Sequence, residues 1–155
     1  WGRPDMAPVI FAKAILNNEK IDVFNGGEMT RDFTYIDDII DGVIGVLDKP
    51  ATPSSRFDPF VPDPAISDAP FRVFNIGNSN PTPLMSFISA LEDALGKKAK
   101  MNMLPMQPGD VPATAADISA IQRWTGFRPN TKLEDGVAQF AAWYMDFYGS
   151  NDGNL

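Results

Sequence analysis

Residues 31–47 read RDFTYIDDIIDGVIGVL, and this stretch indicates how the chain is built. Its apolar residues recur at the i, i+3, i+4 spacing of an amphipathic helix that begins near Ile36. Asp37 and Asp38 fall in the first turn of that helix, where carboxylates favour the positive end of the helix dipole. The residues before the helix, from Thr30 to Phe33, are expected to be extended.

The patterns on either side of this stretch predict further helices and short strands. Helices are expected to begin at capping residues, which are Asp5, Thr82, Asp117 and Thr131. Strands are expected over 21–24, 71–76 and 99–104, between turn signals. These strands are too few and too far apart to make a complete parallel sheet. The fold class is therefore mixed α/β and helix-rich.

Residues 49–70 form a proline-rich insertion loop. Its prolines exclude a helix or a central strand and stand at Pro50, Pro53, Pro59, Pro62, Pro64 and Pro70. An insertion of this length is either an excursion over a ligand site or a mobile surface loop. The chain closes with a polar tail at 149–155, which is expected to be flexible.

Composition limits the functions open to this chain. Its 155 residues carry a formal net charge of −7, which argues against binding to nucleic acid through a basic face. No apolar run approaches the roughly 20 residues of a membrane-spanning helix. Cysteine and histidine are both absent, which excludes disulfides, thiolate nucleophiles and a Ser-His-Asp triad within the chain. The lack of cysteine fits a reducing compartment, so a cytoplasmic location is expected.

No metal site is expected. Asp37, Asp38 and Asp41 have the oxygen ligands that a hard cation prefers. A solvated helix face and the helix dipole explain these carboxylates more simply. The methionines at 101, 103 and 106 are better explained as fillers of a core than as ligands for a soft metal.

Three loop residues suit an anionic ligand that also carries hydroxyl groups. Arg3 lies in the opening loop, and Arg31 immediately precedes the entry to the predicted helix. Asp110 follows Gln107-Pro108-Gly109, a turn that presents one carboxylate. Arginine binds phosphate or carboxylate in a planar, bidentate manner, and aspartate accepts hydrogen bonds from sugar hydroxyls.

Four motifs carry a resemblance to one enzyme family. In chain order they are WGRPDMA at 1–7, RDFTYIDD at 31–38, VFNIGN at 73–78 and MLPMQPGDVPAT at 103–114. Together they resemble UDP-glucuronate 4-epimerases, which are NAD-dependent extended short-chain dehydrogenases/reductases. The resemblance covers residues 1–148 and is confined to the carboxyl-terminal, substrate-binding (lid) portion of the family. It implies elements that complete a Rossmann sheet begun upstream, with the Rossmann core itself absent from this chain.

The resemblance also implies an activity and a cofactor. Such an enzyme interconverts UDP-glucuronate and UDP-galacturonate by NAD-dependent oxidation at C4, turnover of the 4-keto sugar and return of the hydride. The family uses a glycine-rich loop and a tyrosine-lysine pair four residues apart, and neither stands in this sequence. We therefore expect no catalytic and no cofactor-binding residue here. NAD would be bound by an amino-terminal domain, the parent would be a homodimer, and the chain alone would be inactive and would self-associate.

Carried over position by position, the resemblance names six substrate-binding residues. Arg3 resembles the arginine that approaches the sugar carboxylate, and Val23 and Phe24 resemble the strand that holds uracil. Arg31 resembles the diphosphate-binding arginine, and Asp110 the aspartate on the ribose hydroxyls. Gln107 stands where many relatives have arginine, so that phosphate neutralisation depends on Arg31.

Two alternative functions remain open at this point. One is a UDP-sugar decarboxylase or dehydratase of the same family, which uses the same lid. The other is a non-catalytic nucleotide-binding or interaction module. A glycine-rich loop and a tyrosine-lysine pair upstream in the reading frame would favour an enzyme, whereas a start codon near Trp1 would favour a module.

Overall fold

The computed structural model describes residues 5–149, which divide into two compact units. The first unit contains 5–31, 81–114 and 132–149, and the second contains 32–80 and 115–131. Arg3 and most of the predicted tail lie outside the described residues. In chain order the elements are α1 (Ala7–Leu16), β1 (Lys20–Val23), β2 (Thr30–Arg31), α2 (Ile36–Asp48), β3 (Thr82–Pro83), α3 (Leu84–Leu95), β4 (Lys100–Met103), α4 (Ser119–Thr125) and α5 (Leu133–Gly149).

The first unit packs three helices around a two-stranded parallel sheet. Strand β1 pairs with β4, so that Ile21 lies opposite Met101 and Val23 opposite Met103. Helix α3 packs against α1 and α5. The core consists of apolar side chains from these elements, among which Ile15, Ile21, Val23, Ile88 and Leu91 are at most 1% exposed. The predicted mixed α/β, helix-rich class is confirmed.

A second pairing in this unit fixes the place of Arg31. Strand β2 pairs antiparallel with β3, with Thr30 opposite Pro83 and Arg31 opposite Thr82. Because Thr82 and Pro83 pair with β2, Pro83 is the N-cap of α3 and the helix begins at Leu84, one residue later than a cap at Thr82 would place it. Its end at Gly96 has the left-handed conformation (φ 66°) that glycine adopts at low cost.

In the second unit, α2 packs against α4. The core is formed by Ile118, Ile121 and Phe127, with Val46, Phe74, Ile76 and Ala116 packed around them. A Cβ atom at Gly42 would lie 3.0 Å from the Ile76 side chain and 3.3 Å from that of Phe127. The absence of a side chain at Gly42 therefore lets α2 approach this core closely.

The predicted helix at α2 is confirmed, but its apolar stripe does not face the core of the unit. Ile36 is 58% exposed and Leu47 is 74% exposed, and Ile40, Val43 and Ile44 are also exposed. The residues that α2 buries are Asp38 and Gly42. An apolar stripe of this size on a helix indicates a surface that another element covers.

Two carboxylates hold the loops of the second unit. Asp32 accepts hydrogen bonds from the backbone N–H groups of Ser79 (3.0 Å), Asn80 (3.2 Å) and Ala116 (2.9 Å). Asp38 is 3% exposed and accepts from the N–H groups of residues 130 and 131, each at 3.2 Å. The interpretation of Asp38 as part of a solvated helix face is therefore wrong, since its oxygens are used inside the unit.

Two of the predicted strands differ from the structure. Residues 71–76 form no strand, and among the described residues the β-pairing of this segment is limited to an isolated bridge between Arg72 and Ile66. Phe24 does not end β1 but begins a 3₁₀ turn, Phe24–Gly27, in which Asn25 and Gly26 have positive φ. The positive φ angles turn the chain out of the strand direction.

The insertion loop at 49–70 contains bends and turns with no helix, and its Asp58 and Asp63 side chains accept from N–H groups two residues ahead. The loop is connected to the rest of the unit by the bridge from Ile66 to Arg72 near its end and by a hydrogen bond from the Trp124 indole N–H to the Lys49 carbonyl at its start. Among the described residues, no helix has the length and apolar character needed to span a membrane.

Glu92 on α3 gives the first unit a testable dependence on pH. It is 9% exposed, its Oε2 lies 2.6 Å from the Lys98 ammonium, and its Oε1 accepts from the Ala99 N–H at 2.8 Å. Burial acts to raise the pKa of Glu92, but the bonds from Lys98 and Ala99 outweigh it, so that this pKa lies below its ordinary value of 4.5. The charged form therefore stabilises the folded state above pH 4.5, and that contribution is lost as the pH falls through the folded pKa.

We expect Glu92→Gln to lower the free energy of unfolding by about 1 kcal/mol at pH 7 and by less at pH 3. Urea unfolding followed by circular dichroism at both pH values measures the difference. Glu19→Gln, at an exposed carboxylate of the same unit, serves as the control. The same pH dependence in both variants would contradict the assignment.

Candidate functional site

Arg31 and Asp110, which are 79 residues apart in sequence, meet on the first unit. Arg31 Nη2 donates to Asp110 Oδ1 at 2.9 Å. Its Nη1 donates to the Thr30 carbonyl at 2.9 Å and to the Pro112 carbonyl at 3.4 Å. The guanidinium is therefore held from three sides, with one charged and two neutral acceptors.

Backbone pairing brings the 107–114 loop to β2. The Thr30 N–H donates to the Pro112 carbonyl at 2.9 Å, and the Thr114 N–H donates to the Thr30 carbonyl at 3.2 Å. Within the loop, the Asp110 N–H closes a turn on the Gln107 carbonyl at 3.1 Å. Gly109 has a φ of 86°, which glycine adopts without strain, and this conformation sets the direction of the Asp110 side chain.

The pair is accessible to a ligand from solvent. The side chain of Arg31 is 25% exposed and that of Asp110 is 32% exposed. Asp110 Oδ1 accepts from Arg31 and from the Val111 N–H at 2.8 Å. The site thus presents one cation and one carboxylate side by side, which is an arrangement that binds a phosphate group and hydroxyl groups of the same molecule.

The other predicted site residues lie in different environments. Val23 is fully buried, and its carbonyl accepts from the Leu104 N–H at 2.9 Å. Phe24 is half-buried in the 3₁₀ turn, and Gln107 is exposed. Within the described part of the chain, the Arg31 and Asp110 side chains make no hydrogen bond or ion pair with Val23 or Phe24. The structure therefore brings together two of the six residues predicted to bind substrate, and the sixth, Arg3, lies outside the described residues.

Among residues 5–149, the glycines after β1 do not form a cradle for the pyrophosphate of NAD. Such a cradle is a glycine-rich loop between a strand and the N-terminus of a helix. Here the glycines after β1 lie in a 3₁₀ turn, and a Cβ at Gly27 would stand 2.8 Å from the Met85 sulfur. The closeness of Gly27 to Met85 serves packing rather than an approach to phosphate. In the described residues, no group of three or more acidic, histidine or cysteine side chains is placed to hold a metal ion.

Tyrosine chemistry is also disfavoured on α5. Tyr144 is 5% exposed, and burial, with a smaller contribution from Tyr148, raises its pKa above the ordinary value of 10.0. A hydroxyl with a raised pKa that is packed among aromatic rings is a poor proton donor or acceptor for a sugar near neutral pH. Its role is to pack α5 into the core.

Sequence reasoning missed two features of the second unit. No sequence pattern marks Asp32, although its carboxylate binds three backbone N–H groups. Likewise, no sequence pattern indicates that Lys49 and Arg72 lie over the ring of Trp124. The partners of Asp32 are 47 to 84 residues away in sequence, so no local pattern predicts these contacts.

Comparison with known proteins shows which family this chain is similar to. A model of the NAD dependent epimerase/dehydratase family matches residues 2–77. A probable UDP-glucuronate 4-epimerase of Rhizobium meliloti is 44% identical over 149 residues, which are 96% of this chain and 44% of that protein. Protein CapI of Staphylococcus aureus is 48% identical over 148 residues, with the same two shares. Residues 2–77 thus match the NAD dependent epimerase/dehydratase family, and the similarity to these relatives extends over nearly the whole chain.

Comparison with solved structures shows the same similarity. The UDP-glucuronic acid 4-epimerase of Bacillus cereus, in complex with UDP-glucuronic acid and NAD, matches with a TM-score of 0.75 at 31% identity. The match covers 94% of this chain and 41% of that chain. The predicted resemblance to UDP-glucuronate 4-epimerases is thereby confirmed. The chain spans less than half the length of these epimerase relatives.

We expect the Arg31–Asp110 pair to contribute little to the stability of this chain. A partly exposed ion pair contributes about 0.2–1 kcal/mol, so Asp110→Asn should lower the free energy of unfolding by no more than that. Arg31→Ala also removes two bonds to carbonyls and should cost about 1–2 kcal/mol. Urea unfolding of both variants measures these values. A loss above 3 kcal/mol in either variant would mean that the pair is a structural element rather than an accessible site.

Proposed function

We propose that this chain is the nucleotide-sugar-binding part of an NAD-dependent UDP-sugar 4-epimerase that interconverts UDP-glucuronate and UDP-galacturonate. The observation that supports this most strongly is the meeting of Arg31 and Asp110 at 2.9 Å on an accessible surface. These are the two residues that the family resemblance assigns to the diphosphate and to the ribose. The names of the relatives, which include a UDP-glucuronic acid 4-epimerase with bound UDP-glucuronic acid, support the same substrate class.

In this proposal Arg31 binds the diphosphate of the ligand and Asp110 binds the ribose. Arg31 is held by the carbonyls of Thr30 and Pro112, so its guanidinium is already oriented when a diphosphate arrives. Asp110 then exchanges its bond with Arg31 for bonds from the ribose hydroxyls. The guanidinium stays paired with an anion throughout, because it gains a phosphate partner as it releases the carboxylate.

The remaining parts of the activity are assigned to residues outside this chain. NAD supplies the hydride chemistry at C4, and we propose that an amino-terminal domain binds it. We further propose that the exposed stripe of α2 is covered in the complete protein, that the isolated chain self-associates through apolar surface of this kind, and that the parent is a homodimer. The proposed location is the cytoplasm.

The test uses the complete product of the reading frame that encodes this chain. Calorimetry with UDP should show that Arg31→Ala weakens binding by about 1.5–3 kcal/mol, or about 10- to 150-fold, the scale of a charge-assisted hydrogen bond. Asp110→Asn should weaken binding less, since an amide oxygen still accepts from a hydroxyl. Arg128→Ala, at an exposed arginine that makes no described ion pair, is the matched control.

Unchanged UDP affinity in Arg31→Ala, together with reduced stability, would show that Arg31 serves only its ion pair and would reject the diphosphate assignment. Product analysis with UDP-glucuronate separates the epimerase from its family alternatives. UDP-galacturonate is expected, whereas carbon dioxide or a dehydrated sugar would identify a decarboxylase or dehydratase.

Arg3 should separate the uronate from neutral sugars. A carboxylate on the hexose needs a fixed cationic partner, and the proline after Arg3 restricts this residue to extended conformations. We expect Arg3→Ala in the complete protein to reduce kcat/KM for UDP-glucuronate by at least about tenfold and to leave UDP-glucose nearly unchanged. Equal losses on both sugars, or none on either, would remove the carboxylate role.

A further inference from the structure

A cleft of about 470 Å³ lies within the second unit, between the insertion loop and α4. Three arginines line it: Arg56 from the loop, Arg72 from the segment after the loop, and Arg123 from α4. The whole sequence contains six arginines, so half of them line one cleft. None of these three belongs to the site formed by Arg31 and Asp110.

Trp124 orders one side of this cleft. Its indole N–H donates to the Lys49 carbonyl at 2.8 Å, which fixes the plane of the ring. The Arg72 guanidinium carbon and the Lys49 ammonium each lie 5.3 Å from the ring centroid, within the range of cation–π attraction. Arg72 also donates to the Phe71 carbonyl at 2.9 Å. The guanidinium of Arg72 is thus positioned before any ligand arrives.

The carboxylates around the cleft do not neutralise these cations. Asp63 also lines the cleft, and its Oδ1 accepts from the Ala65 N–H at 2.9 Å. Among the described residues, the ion pairs within 4.0 Å involve only Arg31 and Lys98 as cations, so no described carboxylate comes that close to Arg56, Arg72 or Arg123. Asp117, which lies near enough to Arg123 to be influenced by its charge, is bound to the Ser119 N–H at 2.9 Å.

The cleft therefore concentrates positive charge in a chain whose net charge is −7. Three guanidinium groups against the single lining carboxylate of Asp63 leave a local charge of about +2. Ser54 and Ser55 also line the cleft and add hydroxyl groups. An anion with several oxygens can accept from donors on the loop, on α4 and on Arg72 at once, whereas a single carboxylate has only two oxygens to share.

We propose that this cleft is a second anion site, which binds a phosphorylated small molecule through its phosphate group. The volume is within the range of small-molecule pockets and exceeds what a phosphate alone fills. The site connects three parts of the second unit, namely the insertion loop, the 72–74 segment and α4. Occupation of the cleft would hold the insertion loop against α4.

The experiment titrates the chain with inorganic pyrophosphate at about 0.15 M salt, an ionic strength that screens unspecific attraction. Binding is followed by calorimetry and by the indole ¹H–¹⁵N signals of the three tryptophans, with Trp124→Phe and Trp143→Phe used to assign the signals of these two residues. We expect saturable binding that shifts the Trp124 signal and leaves that of Trp143 on α5 unchanged. No saturation, or equal shifts of both signals, would overturn the proposal.

Matched variants locate the binding. Arg56 and Arg123 are exposed, so the double variant Arg56→Gln/Arg123→Gln should fold normally, and we expect it to weaken pyrophosphate binding by about tenfold or more. Arg128→Gln, at an exposed arginine of the same unit outside the cleft, and Arg31→Gln, in the first unit, should change binding by less than about twofold. A loss in Arg128→Gln as large as in the double variant would show general electrostatic attraction, and a loss confined to Arg31→Gln would place the anion on the first unit. Either result would reject the cleft.

Discussion

The second unit depends on one interaction, the binding of three backbone N–H groups by the Asp32 carboxylate. This unit has no paired strands among its described residues beyond a single bridge, so its loops lack the ladder that satisfies backbone donors in a sheet. Asp32 supplies that function for residues 79, 80 and 116. A Cβ at Gly77 would come within 2.5 Å of the Ala116 Cβ and 3.1 Å of the Asp32 carboxylate, so the arrangement also requires glycine there. Hydrogen bonds to a charged acceptor are about twice as strong as neutral ones. One carboxylate can therefore anchor both the 79–80 segment and residue 116.

Local patterns predicted those elements whose cause is local. The helix at α2 follows from its apolar spacing, and Asp117, expected to cap α4, does accept from the Ser119 N–H although the helix begins at Ser119 itself. The strand at 71–76 was wrong because a strand needs a partner, and within the described residues only Ile66 pairs with this segment. The side of α2 that enters the core was also unpredictable, because a buried aspartate and a glycine replace the apolar face there. Its apolar stripe follows the rule for amphipathic helices, but the surface that covers such a stripe is absent from the described residues.

At the candidate site too, the residue types could be predicted from the sequence, but the contacts between them could not. Arg31 and Asp110 were predicted because guanidinium and carboxylate suit an anionic ligand with hydroxyl groups, and the family resemblance implied that this ligand is a nucleotide sugar. Their pairing was not predicted, since it depends on a backbone connection between Thr30 and the 112–114 segment. The arginine cleft could not be predicted from the sequence. Arg56 lies in the insertion loop, Arg72 follows 16 residues later, and Arg123 on α4 follows after another 51 residues. Only the tertiary structure makes neighbours of these side chains.

The two groups of arginines differ in how their charge is compensated, and this difference bears on what each can bind. Arg31 already has a carboxylate partner, so an inorganic anion that replaces Asp110 leaves that carboxylate without its cation and gains little. A ligand that presents phosphate to Arg31 and hydroxyls to Asp110 satisfies both groups, which favours a nucleotide sugar over a simple anion. In the arginine cleft no described carboxylate must be displaced from a guanidinium, so phosphate alone is a sufficient ligand. In the two proposed sites, the same side-chain chemistry would thus favour a whole nucleotide in one place and an anionic group in the other.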